Sequence, residues 1–265
     1  MIVCTLGIQK KNMTNFAKRT ELIGLFGEGI QKIKIKEEAT MAVAMIYGRS
    51  GAGKTCNSTL VKTKTKGRNL LLNSDGSSLV LKNFDRPNLD IEPIEHWMEQ
   101  SPDGKNWLSL RKQFEKAIAS NKYDCIIVDN ISDIFDLAVL EMDASGRFND
   151  PRKYYLLIYN DLKRLAREAQ SADCDVIFTA WSSEFEAQLP DGTRTTGVRP
   201  KLPEKVTDNF LGLCNVVAYV NTAEKNGEKR WYYHLEGSPT LYCKDQMYVR
   251  KSCLPEDIFS GGTKK

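Results

Sequence analysis

An α/β fold is predicted from this sequence: a mostly parallel central sheet flanked by helices, with an antiparallel extension at the C-terminal end. Three observations carry the prediction. Short apolar runs recur with helix-like stretches between them. The first of those runs closes on a glycine-rich turn. Near the C-terminus, two strand-like runs are joined by Asn226-Gly227, a pair suited to a hairpin turn.

The elements follow in order. Residues 41–47 are apolar and end in the glycine turn, which reads as a buried strand, and 55–62 begin a helix. Residues 69–72 form a second strand, closed by Asn73-Ser74-Asp75-Gly76. Residues 107–120 read as a helix with Leu108, Phe114 and Ile118 on its apolar side. Residues 125–128 are a third buried strand. Residues 154–170 are a long helix whose stripe of Leu157, Asp161, Leu165 and Ala169 is partly mixed. Residues 176–180 are a fourth strand. The segment 188–203 is rich in Gly, Pro, Thr and Arg and reads as a loop. Residues 215–220, 230–235 and 241–244 follow as strands. Residues 1–40 differ from the rest: Lys32, Lys34 and Lys36 alternate with Ile33 and Ile35, a period-two strand pattern. They are expected to be an N-terminal arm for oligomerisation or partner binding. Residues 41–254 are expected to form one domain and 255–265 a flexible tail.

Composition bounds the function. Lys plus Arg minus Asp plus Glu is 38 − 34 = +4, with 27% charged and 41% hydrophobic residues. That balance excludes wholesale disorder, and it permits a nucleic-acid partner without demanding one. Seven cysteines include no CxxC pair, and there are only two histidines, so no zinc cluster is visible. Such cysteine usage fits a reducing cytoplasm. The opening apolar patch is too short for a signal peptide. No apolar run nears the roughly 20 residues of a membrane span.

Gly48-Arg49-Ser50-Gly51-Ala52-Gly53-Lys54-Thr55 fits G-x-x-x-x-G-K-[ST], between an apolar strand and a helix as the motif requires. Glycines let the backbone wrap a phosphate, and the amides through Cys56 face the anion. Lys54 reaches the β- and γ-phosphates, and Thr55 offers its hydroxyl to Mg²⁺. The partner is Asp129, which ends the run Cys125–Asp129, 75 positions after Lys54 (129 − 54). At the C-terminal edge of a parallel sheet its carboxylate sits beside the loop and can hold Mg²⁺. Asn130 follows it, not Glu, so the water-orienting group lies elsewhere. Asp75 is the best substitute, although Asp75-Gly76 reads equally as a plain turn.

The segments GRSGAGKT, LLLNSDG, YDCIIVDNISDI, DVIFTAW and LYCKDQ together resemble the RecA-like P-loop ATPases of phages, over residues 41–250. These are the nucleotide-binding AAA-like family that includes the Rad-fifty-one-like Sak single-strand-annealing recombinases. The resemblance implies a RecA-like ATPase that uses ATP and Mg²⁺, hydrolysing ATP as it binds or anneals single-stranded DNA in phage recombination or replication. It implies a homo-oligomer, ring or filament, in the host cytoplasm, with a phage replication or single-strand-binding protein as a further partner and no membrane. By position, Lys54, Thr55 and Asp129 serve phosphates and metal, and Asp75 orients water. Thr179 and Ser182 stand at the sensor position. Lys244 is the trans-acting candidate, since Gln246 stands where the family carries Arg.

DNA-binding loops of such proteins would fall at 144–153 and 184–201. The first holds Arg147, Arg152 and Lys153 beside Phe148, Tyr154 and Tyr155; the second holds Arg194, Arg199 and Lys201. Cations beside rings suit a single strand, while charged solvated loops look the same. Trp181 reads either as a base-stacking group or as packing at the sheet edge. His96, Trp97 and His234 read as structural. Two other functions share the motifs: a loader that remodels a replication protein without strong DNA binding, and a small-molecule kinase, disfavoured because no lid segment with clustered arginines is seen.

Overall fold

The computed structural model describes residues 41–225 and 227–261. The expected arm, with its Ile-Lys alternation at 32–36, lies outside the described residues, as do Asn226 and residues 262–265. The strands are β1 (Val43–Gly48), β2 (Asn69–Asn73), β3 (Leu89–Pro93), β4 (Cys125–Asp129), β5 (Asp175–Gln188), β6 (Arg194–Pro200), β7 (Val216–Lys225), β8 (Glu228–His234), β9 (Lys244–Asp245) and β10 (Ser252–Cys253). The helices are α1 (Lys54–Ser58), α2 (Leu110–Ala119), α3 (Ile131–Ala144), α4 (Pro151–Ser171) and α5 (Glu204–Leu213). One sheet runs in the order β10-β8-β7-β1-β5-β4-β2-β3. The stretch from β7 to β3 is parallel, and β8, β9 and β10 add antiparallel. The mostly parallel α/β architecture expected from the apolar runs is present, with its antiparallel C-terminal extension.

β1 is buried at every position. Val43, Met45 and Tyr47 enter one apolar cluster, while Ala44 and Ile46 enter the other. Both faces of the sheet are covered, which is why the parallel strands read as unbroken apolar runs. Because these strands run the same way, Gly48, Asn73, Asp129 and Trp181 all reach one rim: Gly48 stands beside Trp181 and Asn73 beside Asp129.

Local chemistry sets the helix starts. Ser109 caps α2 by accepting from the Lys112 amide, Asn130 caps α3 through Asp133, and Asp150 caps α4 with Pro151 in its first turn. The Ser109 cap corrects the expected helix at 107–120: Leu108 precedes it and is exposed. The helix expected over 55–62 is the short α1. Ser58 and Thr59 hydroxyls donate to the carbonyls of Thr55 and Cys56, a local competition that shortens helices.

Two expected irregular segments are ordered. The supposed loop 188–203 contains β6, paired antiparallel with a β5 that runs on to Gln188. Phe185 and Ala187 turn inward between exposed Glu184 and Glu186, and the Phe185 ring packs over Gly197, where a Cβ would lie 2.5 Å from it. The Gly and Thr content hid this alternation. The expected tail 255–265 is not one over 255–261. Ile258 and Phe259 are buried in the cluster that holds Ile46 and Val216. The Arg250 guanidinium donates to the carbonyls of Asp257, Ser260 and Ile258 and to the Asp245 carboxylate. Those bonds use the terminal carbonyls that a fraying end would give to water.

Asp124, just before β4, is buried and accepts from the amides of Lys64, Lys66 and Gly67. Burial pushes its carboxyl up, but those amides outweigh it and hold the group below its ordinary value. Asp124→Ala is expected to cost about 2–3 kcal/mol at neutral pH, by leaving three amides unpaired. The folded value is depressed, so this stability is present above the unfolded carboxylate value near about 3.9 and is lost as pH falls through the folded one. Urea unfolding should therefore show the gap between wild type and variant narrowing below about pH 4.

Candidate active site

The turn after β1 closes through Ala52 N donating to Arg49 O at 3.1 Å. Gly51 and Gly53 hold φ of 73° and 89°, a region that strains any residue with a Cβ. Arg49, Ser50 and Gly51 are exposed at the rim. Lys54 is 7% exposed. Its Nζ donates to Gly48 O at 3.1 Å and Arg49 O at 3.0 Å. Burial lowers its pKa, with the nearby charges of Asp129 and Asp75 pulling the other way.

Asp129 ends β4 and is 1% exposed. Its Oδ2 accepts from Thr55 Oγ1 at 2.6 Å and Ser77 Oγ at 2.9 Å, and its Oδ1 accepts from Thr179 Oγ1. Burial raises its pKa, and the hydroxyls of Thr179 and Thr55 only partly offset that. A buried carboxylate ringed by hydroxyl oxygens fits a hard divalent cation such as Mg²⁺, which takes one or two carboxylates and completes its shell from water and substrate phosphates. Among the described residues, no group of three or more His, Cys, Asp or Glu forms a separate metal cage.

Asp75 follows β2 on the same rim. Its Oδ1 accepts from the Ser77 amide at 2.9 Å and Asn73 Nδ2 at 3.3 Å; its Oδ2 accepts from Asn130 Nδ2 at 2.7 Å. Burial raises the carboxyl, but the bonds from Ser77, Asn130 and Asn73 outweigh it and leave it below its ordinary value. Asp75 thus makes the turn and also faces the site. Asn130 serves twice, since its Oδ1 caps α3 by accepting from Asp133 N at 2.8 Å. Cys56, half-buried on α1, has a thiol pushed up by burial, against the pull of Arg86.

Thr179, the sensor candidate, is fully buried on β5 and holds the Asp129 carboxylate. Ser182 lies further along β5, paired with Pro200 of the hairpin. Lys201 Nζ lies 4.9 Å from the Trp181 ring centroid, so a cation of the same chain covers one face of that ring. Lys244, named for a neighbouring copy's phosphate, does not stand at its own chain's loop. It pairs with Val217 near the start of β7, and its Nζ donates to Gly212 O at 3.4 Å.

Four of the six basic candidates lie on helices or strands and not on open loops. Arg152 and Lys153 sit in the first turn of α4, and Arg152 pairs with Asp150 at 3.0 Å. Arg194 on β6 pairs with Glu186 at 3.1 Å. Arg199 lies 3.9 Å from Glu204 and 5.6 Å from the Phe185 ring centroid. Lys201 lies 3.2 Å from Asp136. Arg147 remains on the turn after α3, lining a cavity of about 480 Å³ with Trp97 and Met142.

Three residues of the site were not found from the sequence. Ser77 and Asn130 flank recognised acids, and the run Asp75-Gly76-Ser77 was a signal for the first. Trp231 on β8 had no signal, yet its indole meets the loop: a Cβ at Gly53 would lie 3.0 Å from Trp231 Nε1.

The family model of an AAA domain matches residues 40–247. No curated protein matches the chain. Among solved structures, a KaiC-like protein from the hyperthermophilic archaeon Pyrococcus horikoshii is similar with a TM-score of 0.40 and 14% identity, over 73% of this chain and 77% of that one. The flagellar accessory protein FlaH from Methanocaldococcus jannaschii is similar with a TM-score of 0.41 and 12% identity, over 80% of this chain and 83% of that one. No helix among the described residues is long and apolar enough to cross a membrane.

Proposed function

This chain belongs to the AAA domain family, and from that premise we propose that it is a Mg²⁺-dependent ATPase acting on single-stranded DNA. The observation that carries the nucleotide part is the 2.6 Å bond between Thr55 Oγ1 and Asp129 Oδ2. It joins the end of the glycine loop to an acid 74 residues away, at the rim where that loop opens.

The amides of Gly51 to Cys56 bind the phosphates, and Lys54 adds a cation beside them. Thr55 and Asp129 would hold the metal, which when bound neutralises charge on the phosphate oxygens. Asp75, kept ionised by Ser77, Asn130 and Asn73, orients the attacking water. As the water oxygen bonds the γ-phosphorus and the bond to the bridging oxygen breaks, the water's proton leaves on an oxygen of the phosphate product, giving ADP and phosphate.

For DNA, the supporting feature is the β5–β6 hairpin. It continues from the rim that bears the loop and carries Arg194, Arg199 and, at its base, Lys201. The setting we propose is phage recombination or replication, as a homo-oligomer in the host cytoplasm, with a replication or single-strand-binding protein as partner. A second reading, a loader with little DNA affinity, is favoured by one observation: Arg152, Arg194, Arg199 and Lys201 each have an acidic partner in their own chain.

The test is ATP turnover with and without single-stranded DNA, alongside DNA binding by Arg194→Ala/Arg199→Ala over a salt series. The recombinase reading expects stimulated turnover in the wild type. It also expects weaker binding in the variant, with a salt slope shallower by about 1–2. Unstimulated turnover and equal binding would leave the loader.

A further inference from the structure

Four groups of the candidate site meet on Ser77, which opens the short 3-10 helix Ser77–Asn83 after β2. Its Oγ donates to Asp129 Oδ2 at 2.9 Å, lies 3.0 Å from Thr55 Oγ1, and accepts from Asn73 Nδ2 at 2.9 Å. Its amide donates to Asp75 Oδ1 at 2.9 Å. One residue thus bonds both acids of the site. Asn73 fixes it from behind: that side chain is buried, and its Nδ2 also reaches Asp75 Oδ1 and the Asp129 carbonyl, each at 3.3 Å. Counting hydrogens and lone pairs separates holding from ligating. A serine hydroxyl has one hydrogen and two lone pairs. On Ser77 the hydrogen goes to Asp129, and the lone pairs face Asn73 and Thr55, so none is left over for a metal. Thr55 also has one hydrogen, with two acceptors in reach: Asp129 Oδ2 at 2.6 Å and Ser77 Oγ at 3.0 Å. Asp129 Oδ2 accepts from both hydroxyls, and Oδ1 accepts from Thr179. A cation on Asp129 Oδ2 needs the lone pair that Thr55 occupies. The Thr55 hydrogen must then turn elsewhere, and Ser77 Oγ is in place to accept it.

We propose that Ser77 is a positioning residue for the divalent cation: its hydroxyl anchors Asp129 and takes over the Thr55 hydrogen bond when the carboxylate oxygen is needed by the metal. The proposal rests on the reading that Thr55 and Asp129 hold Mg²⁺ beside a nucleoside triphosphate. Side chains that bond a metal's ligands orient them and tune the affinity of the site, typically by ten- to a hundredfold. In Ser77→Ala the amide bond to Asp75 remains, because it is made by the backbone. What goes is the anchor on Asp129 and the second acceptor for Thr55, so the Thr55 hydroxyl competes with the cation for Asp129 Oδ2. Threonine at this position keeps the hydroxyl and therefore both functions.

The experiment is calorimetric titration of adenylyl imidodiphosphate, a non-hydrolysable ATP analogue, into wild type, Ser77→Ala and Ser77→Thr, in Mg²⁺ and in chelator, with Asp129→Asn as control. The readout is the gain in affinity that Mg²⁺ brings. Ser77→Ala is expected to lose about ten- to a hundredfold of that gain while its affinity in chelator stays at the wild-type value. Ser77→Thr is expected to keep most of the gain. An unchanged gain in Ser77→Ala overturns the proposal. So does an equal loss in Mg²⁺ and in chelator, which would mean that Ser77 only shapes the turn, and so does a loss in Ser77→Thr as large as in Ser77→Ala, which would mean that the hydroxyl is not the agent. If wild type gains nothing from Mg²⁺, or Asp129→Asn keeps the full gain, the metal site itself is wrong; the proposal falls with it, by a result distinct from failure of Ser77 alone.

Discussion

Lys54→Ala is expected to lower ATP turnover by roughly a hundred- to a thousandfold or more, read as phosphate released at saturating MgATP. Lys54 lies inside the loop at 7% exposure, with its ammonium on the carbonyls of Gly48 and Arg49. Burial already disfavours its charge, so a phosphate beside it gains a strong, dry interaction with that cation. Alanine leaves the loop amides in place and removes the cation. The fold should survive, because β1 stays buried at every position without the lysine. Full turnover in the variant would move the catalytic centre away from this loop. Asp75→Asn provides a contrasting pattern: it leaves the loop intact and should retain bound ATP while hydrolysis stops. Hydrolysis at the wild-type rate would assign the water to another residue.

Asp129→Asn should abolish turnover to a similar degree and act on stability with the opposite sign. The carboxylate is 1% exposed, and burial pushes its pKa up despite three hydroxyl donors. The ionised form is therefore costly in the fold without a cation beside it. Asparagine keeps one oxygen acceptor and deletes the charge. Without Mg²⁺ the variant should melt at the wild-type temperature or above it, by up to about 1 kcal/mol, or about 2–4 °C. MgATP should raise the melting temperature of the wild type and leave the variant nearly unmoved. A variant that melted several degrees lower yet kept its turnover would make Asp129 a structural residue.

The legible parts of the site were those written in consecutive residues. The eight residues from Gly48 to Thr55 declare their backbone shape, because Gly51 and Gly53 occupy positive φ and a lysine and a hydroxyl follow directly. Asp129 was readable as the acid that ends an apolar run. Asp75 was readable as an acid at a turn, with its second role undecided; the structure adds that its charge acts on Lys54 and Asp129. The β5–β6 hairpin was not legible, because its alternation is short and its Gly and Thr content resembles a loop. The docked segment 255–261 was missed for a related reason. Ile258 and Phe259 are too few to show a period, and Arg250 gathers their carbonyls from outside the segment.

By itself the sequence determined the buried runs, the glycine loop and the acid that closes β4, since each depends on residues within a few positions of one another. Only the tertiary structure decided which groups surround that acid. Thr55, Ser77 and Thr179 reach Asp129 from 74, 52 and 50 positions away. It also decided that Lys244 stays near Gly212, that Trp231 lies against Gly53, and that most of the basic candidates pair with acids of their own chain. The physical reason is strand order and register. Parallel strands joined by helices bring distant segments to a common rim, and which side chains meet there is set by packing across the sheet, which no local pattern encodes.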